Sequence, residues 1–190
     1  MNRAKRESLD ELVAEHQASM RRFAVRLTGS LESAEEIMQE SLLRIVRSWG
    51  GFRRQAAFKT WAIRVILNVF HDWLAKTRQS LPLEDMSDPR AVDPPACAMA
   101  DELRRYVAQR VSALPPRQRE VLVLLVYEGL SVGETAQLLQ MQVANVYATL
   151  YQARRRLREE LAPFLANSDD DDQAAVPQGP ASALEKRNAR

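Results

Sequence analysis

The stretch "SLPLEDMSDPRAVDPPACAMA", Ser80 to Ala100, sets four prolines and an acidic excess between two blocks of helical pattern. A proline inside a helix loses a backbone hydrogen bond and clashes with the preceding turn, so no regular helix continues through this segment. The chain is therefore read as two units. Apolar periodicity dissolves from Gln79 to about Ala96, and the expected organisation is a unit over residues 1–80, a linker over 81–98, a second unit over 99–167 and a tail over 168–190. Charge follows the same division. Residues 1–80 carry 14 basic and 9 acidic side chains, residues 81–102 carry 1 and 6, residues 103–167 carry 9 and 5, and residues 168–190 carry 3 and 5. Two basic units thus flank an acidic joint. Such units can supply the electrostatic part of nucleic-acid binding, although helical proteins without that role also carry arginine-rich surfaces. The tail, with "DDDD" followed by Pro, Gly and Ala, is expected to be disordered.

Within the first unit, Leu9, Leu12, Val13, His16, Met20, Phe23, Ala24 and Leu27 recur at helical spacing. "TGS" at Thr28 to Ser30 should end that helix, with Gly29 in a left-handed conformation. Ser33 and Glu36 fit a capping box for a second helix burying Ala34, Ile37, Met38, Ser41, Leu42, Ile45 and Val46. A third helix is expected over about Phe58 to Arg78, with Trp61, Ala62, Val65, Ile66, Val69, Phe70, Trp73 and Leu74 as its apolar stripe. The second unit should open with a helix from near Met99 to about Ala113. "LPP" then breaks and restarts the chain, and a helix over Arg117 to Glu128 turns Val121, Leu122, Leu124 and Leu125 inward. Ser131 and Glu134 form another capping box, followed by a short helix over Val132 to Gln140, a turn near Met141 to Ala144, and a long helix from Asn145 to Leu161. With no strand pattern, repeat or heptad, the fold class is all-α: two small helical domains joined by an acidic, proline-rich linker, the second with a helix-turn-helix.

Several function classes have nothing to stand on. One cysteine, Cys97, excludes an internal disulfide framework, and His16 and His71 without a Cys/His cluster make no zinc site. No phosphate loop, nucleophile elbow or metal-spaced histidine pair is present, so neither enzyme activity nor a cofactor or metal is expected. No apolar run is long enough to span a membrane, and "MNRAKRESLDEL" turns polar where a signal peptide needs an apolar stretch, which points to the cytoplasm.

What remains is binding. A short helix, a tight turn and a long helix can place the long helix in the DNA major groove. On it, Val146, Leu150, Leu157 and Leu161 share one face, and Asn145, Ala148, Thr149, Gln152, Arg155 and Arg156 lie opposite. Asn and Gln can bond an adenine edge with both amide atoms, a small Ala148 permits close approach, and arginines can hold phosphates. The plainer alternative is that Asn145 caps the helix and the arginines are merely solvated. In the first unit, Phe52, Phe58, Trp61, Phe70 and Trp73 interleave with Arg53, Arg54, Lys59 and Arg64, a combination suited to single-stranded nucleic acid. Trp61, Phe70 and Trp73 fit a buried stripe equally well. Asn68 and Asp72, one turn apart at the edge of an apolar face, could bond each other or a flipped-out base. Leu43, exposed among Glu35, Glu36, Gln39, Glu40 and Arg44, suggests a protein partner.

Three stretches in one order resemble a known family. "LTGSLESAEEIMQESLLRIVRSW", "AAFKTWAIRVILNVFHDWLAKTR" and "LPPRQREVLVLLVYEGLSVGETAQLLQ" continued by "VYATLYQARRRL" are similar to the polymerase-clamp helix, the promoter-melting and −10 segment, and the −35 domain of bacterial extracytoplasmic-function (ECF) sigma factors. The resemblance spans roughly Leu9 to Leu161. It implies a non-enzymatic subunit that docks on core RNA polymerase and directs it to promoter DNA, with an anti-sigma factor as a further partner. By resemblance, Glu36, Gln39, Glu40, Leu43 and Arg44 bind core polymerase. Trp61, Asn68 and Asp72 match the −10 segment, and Arg53, Lys59, Arg64 and Lys76 beside them are expected to share in −10 capture and melting. For the −35 element the expected residues are those of the outward face, Asn145, Ala148, Thr149, Gln152, Arg155 and Arg156. The chain departs from the family where relatives begin the −35 helix with a Gly-Thr-Val-Lys-Ser-Arg type run. Here Ala144, Asn145, Val146, Tyr147, Ala148 and Thr149 stand instead, and Ala75 replaces a frequent Arg after Asp72. Altered or weaker −35 readout is therefore expected. Two alternatives stay open: a sigma-like decoy that titrates an anti-sigma factor, and a stand-alone helix-turn-helix regulator.

Overall fold

A computed structural model describes residues 8–52, 57–80 and 98–173. All regular structure among them is helical. The expected linker, apart from its last residue, and positions Arg53 and Arg54 lie outside the described residues, as do residues 174–190.

Helix α1 spans Leu9–Thr28, and a capping box opens it: the Glu11 amide donates to Ser8 Oγ (3.3 Å), and the Ser8 amide donates to Glu11 Oε2 (3.0 Å). It ends as expected at Gly29, in the left-handed region at φ 75°. Helix α2 spans Leu31–Ser48. Its cap is Ser30, one turn before the expected Ser33, so Ser33 sits inside the first turn and the Ser33–Glu36 box does not form. The Glu36 carboxylate instead accepts from Trp73 Nε1 at 3.2 Å. After a short 3-10 turn at Trp49–Gly51, α3 covers Phe58–Ser80.

These three helices pack pairwise around Met20, Phe23, Leu27, Ile37, Ile45, Ile63, Ile66 and Phe70, all buried. Each such side chain contributes about 1.5–3 kcal/mol on leaving water. The α3 stripe is wider than expected, because Ile63 and Leu67 are buried too. Val46 is not in the core: it is 62% exposed. One residue past buried Ile45 it turns beyond the arc that α1 and α3 cover, so the expectation of its burial fails.

The second unit contains α4 (Ala98–Ser112), α5 (Pro116–Leu122), α6 (Val132–Leu139) and α7 (Val143–Gln173). Helix α7 starts two residues before the expected Asn145 and continues past Leu161 through Gln173, so residues 168–173, expected to be disordered, are helical. The helix expected to run unbroken from Arg117 to Glu128 does not. It widens into a π turn over Val123–Tyr127, where the Glu128 amide bonds the Val123 carbonyl. The extra width buries Val123 along with Leu124 and leaves Val126 exposed. The Ser131–Glu134 capping box forms as expected. Gln140, at φ 51°, makes the turn, and α7 crosses α4, α5 and α6 with Val146 and Ala153 buried against them.

The two units pack together through α1, which touches α4, α5 and the π turn. A Cβ added to Gly29 would stand 2.5 Å from the Ser112 Cβ, so this glycine serves both its positive φ and the close approach. The joint is polar. Arg119 donates to the Leu27 carbonyl at the end of α1 (2.5 Å) and to the Leu114 carbonyl (3.0 Å), and burial pushes its guanidinium down to about 10, still charged at neutral pH. Glu120, 2% exposed, meets His71 Nε2 at 2.9 Å and Arg117 at 2.8 Å. Glu128 holds Lys59 at 2.9 Å and Arg26 at 3.5 Å, while Arg26 lies over the Tyr127 ring.

Candidate nucleic-acid interface

On α3, Trp61, Arg64, Asn68, Asp72 and Lys76 follow one another at spacings of three or four residues, which sets them on one strip of the helix. Arg64, Asn68, Asp72 and Lys76 are exposed, and Trp61 is half-buried. Lys59 does not belong to this strip. It lies on the other side of the helix and is held by Glu128. Above the strip is an aromatic cluster of Trp49, Phe52, Phe58 and Trp61, with the Phe52 and Trp61 rings 4.7 Å apart and Trp49 stacked on Phe52 at 5.4 Å. Phe58 and Phe70 are core residues, whereas Phe52, Trp61 and Trp73 are half-buried. Trp49 was missed by the sequence reading. Its position beside the helix-ending glycines was the available sign.

Asp72 and Asn68 do not bond each other. Asp72 accepts from Arg44 of α2 at 2.8 Å, and Arg44 also donates to Glu40 at 2.8 Å. That bond holds the Glu40 carboxyl below its ordinary range, and Glu40, then Asp72, raises the Arg44 guanidinium. With the Trp73–Glu36 bond, two residues expected at the polymerase face are tied to the helix that carries the −10 candidates. Gln39 and Leu43 are left exposed, Leu43 next to Val46 on an apolar spot of α2. Gln39 also borders an open groove with Gln17, Arg21, Met38 and Leu42.

On α7 the expected face is outward. Asn145, Ala148, Gln152, Arg155 and Arg156 are exposed, and Thr149 is half-buried. Asn145 is not the cap: its amide already donates to the Gln142 carbonyl at 2.9 Å, inside the first turn, so its side chain is free for another use. Gln118 of α5 donates to the Gln152 side chain at 3.5 Å and orients that amide. Arg155 pairs with Glu159 at 3.0 Å and Arg156 with Glu160 at 3.8 Å, both along the same helix. Among the described residues no group of three or more His, Cys, Asp or Glu side chains could hold a metal, and no helix is long and apolar enough to cross a membrane.

The two units correspond to two known protein regions. Residues 12–80 match the Sigma-70 region 2 family and residues 104–157 match Sigma-70, region 4. The RNA polymerase sigma-E factor of Streptomyces avermitilis is 33% identical over 80% of this chain and 84% of its own length. The RNA polymerase sigma-H factor of Pseudomonas aeruginosa is 28% identical over 87% of this chain and 92% of its own. In fold, the chain is similar to one in the Bartonella quintana complex of the sigma factor RpoE with the anti-sigma factor NepR, with a TM-score of 0.69 at 20% identity, covering 80% of this chain and 96% of that one. The order of the two regions, the level of identity and the all-helical architecture agree, and the chain belongs to the extracytoplasmic-function sigma factors of the sigma-70 family.

Proposed function

We propose that this chain docks on core RNA polymerase in the cytoplasm and directs it to promoters. The chain supplies binding and positioning, and the polymerase supplies the chemistry. The α2 surface of Glu36, Gln39, Glu40, Leu43 and Arg44 is the core-polymerase contact. The α3 strip captures unstacked −10 bases, with Trp61 offering a ring to stack on and Asn68 and Asp72 offering polar edges. Arg64 and Lys76 bind the backbone there, and Lys59 joins them when Glu128 lets it go. Asn145, Ala148, Thr149 and Gln152 face the −35 duplex, with Arg155 and Arg156 behind them. An anti-sigma factor is the expected regulator.

The observation that carries this reading is the pairing of two different nucleic-acid surfaces in one chain: an aromatic and polar strip suited to single strands, and an aromatic-flanked, amide-bearing helix after a tight turn suited to a duplex. A stand-alone helix-turn-helix regulator leaves the first surface without a purpose. The test is to add the purified chain to sigma-free core polymerase and sequence the transcripts from fragmented genomic DNA. New start sites with a shared upstream motif are expected. Core binding without transcripts would instead favour the decoy.

A further inference from the structure

The outward side of α7 holds a second strip, one edge over from the face just described. Val143, Tyr147, Tyr151, Arg154 and Arg158 are spaced by four, four, three and four residues, so at about 3.6 residues per turn they line up along the helix. Tyr147 is 59% exposed and Tyr151 68% exposed. Among the described residues neither tyrosine has a hydrogen bond or ring partner, and neither Arg154 nor Arg158 has an ion pair. Arg155 and Arg156, by contrast, are each engaged by a glutamate. Two large aromatic side chains in water add little to the fold.

We infer that this strip is the sugar-phosphate grip of α7, resting on the reading of α7 as the −35 duplex helix. With Ala148 and Gln152 at the groove floor, the strip faces one wall of the groove. Tyrosine suits such a wall: the ring covers deoxyribose and the hydroxyl donates to a phosphate oxygen. Arg154 and Arg158 carry the same line onward as free charges. From Tyr147 to Arg158 the strip is about 16 Å long at about 1.5 Å rise per residue, enough to follow several phosphates. The grip is thus uncharged at its leading end and cationic at its trailing end. Its leading anchors are hydroxyls, which salt does not screen as it screens charges.

The strip is open in the chain as it stands, so the full-length protein can be titrated directly. The probe is a fluorescein-labelled mixed-sequence 20-base-pair duplex, followed by anisotropy from low to moderate NaCl. Tyr147→Phe with Tyr151→Phe should weaken binding about tenfold at every salt concentration and leave the log–log salt slope unchanged. Arg154→Gln with Arg158→Gln should lower the slope by about 2. Arg155→Gln with Arg156→Gln should change it less. These substitutions keep the bulk of exposed side chains, and far-UV circular dichroism checks that the helix persists. Wild-type affinity in the Tyr→Phe variant, or a slope lost only with Arg155 and Arg156, overturns the strip. If Ala148→Glu abolishes binding while the strip variants keep it, α7 remains the duplex helix and the strip alone is wrong. No salt-dependent binding by the wild type removes both.

Discussion

The α3 strip and the α7 face differ in how they are held. On α3, Asp72 is fixed by Arg44 of the neighbouring helix, Trp73 by Glu36, and Trp61 by three other aromatic rings. On α7, among the described residues, the outward side chains have one cross-helix hydrogen bond, Gln118 to Gln152, and ion pairs within the helix itself. Capturing an unstacked base needs a pocket whose walls are already in place, because looseness there costs binding directly. A helix lying in a duplex groove needs mainly shape and charge, which many side chains can supply. The α7 surface can therefore exchange residues without losing its support.

If the comparison is right, substitutions on α3 should have the larger effects. Trp61→Ala should reduce open-complex formation about 5- to 150-fold, since base stacking contributes about 1–3 kcal/mol per base. Asn68→Ala should do so through the loss of its hydrogen bonds to a base edge, which contribute about 1–3 kcal/mol when both amide atoms engage. A pre-melted template should restore part of the loss, and equal losses on both templates would argue against base capture. Next comes Arg44→Ala, which frees Asp72 and Glu40 together and should lower both core affinity and −10 melting by about tenfold. Arg44→Lys should rescue neither fully, because an ammonium cannot present the planar fork that reaches both carboxylates. A core-binding defect with normal melting would show that the Arg44–Asp72 bond does not link the two surfaces. Smaller still, Gln152→Ala should relax preference at one −35 base pair by about 1 kcal/mol, roughly fivefold, read as a change in the selected promoter motif. Gln118→Ala should have a weaker effect at that same base pair.

Local features were legible in the sequence, and the joint between the units was not. Gly29, the Ser131–Glu134 box and the buried side of α7 each follow from a few neighbouring residues. The same local logic misplaced the α2 cap, because Ser33 with Glu36 looks like a capping box and Ser30 with Ser33 does not. It also passed a smooth helix through the π turn, which packs against α1 and α6, contacts outside the local pattern. The α3 strip was visible as a list of residue types. Its support was not, since Arg44 and Asp72 meet across 28 residues. Nothing in the local sequence marks out Glu120 or Arg119. Their partners, His71 and the Leu27 carbonyl, stand 49 and 92 residues away, and no periodicity reports such a pairing.

That hidden joint bears on the comparison, because it holds one −10 candidate out of use. Lys59 is tied to Glu128, whose carboxylate is nearly buried between the units. Replacing Glu128 by Gln keeps its shape and some hydrogen bonding but removes the charge that holds Lys59 and Arg26. The expected cost to stability is modest, about 1–2 kcal/mol, seen as a lower denaturant midpoint. The more telling outcome is in DNA binding. With Lys59 released, affinity for a single-stranded −10 oligonucleotide should rise about two- to threefold, and its salt slope should steepen by less than 1, one added phosphate contact. Duplex binding by α7 should not change, because none of its outward residues touches Glu128. A gain on both probes would mean that the joint restrains the whole chain. A gain on neither would mean that Lys59 is a structural residue of the interface, and that the α3 strip of Trp61, Arg64, Asn68, Asp72 and Lys76 is complete without it.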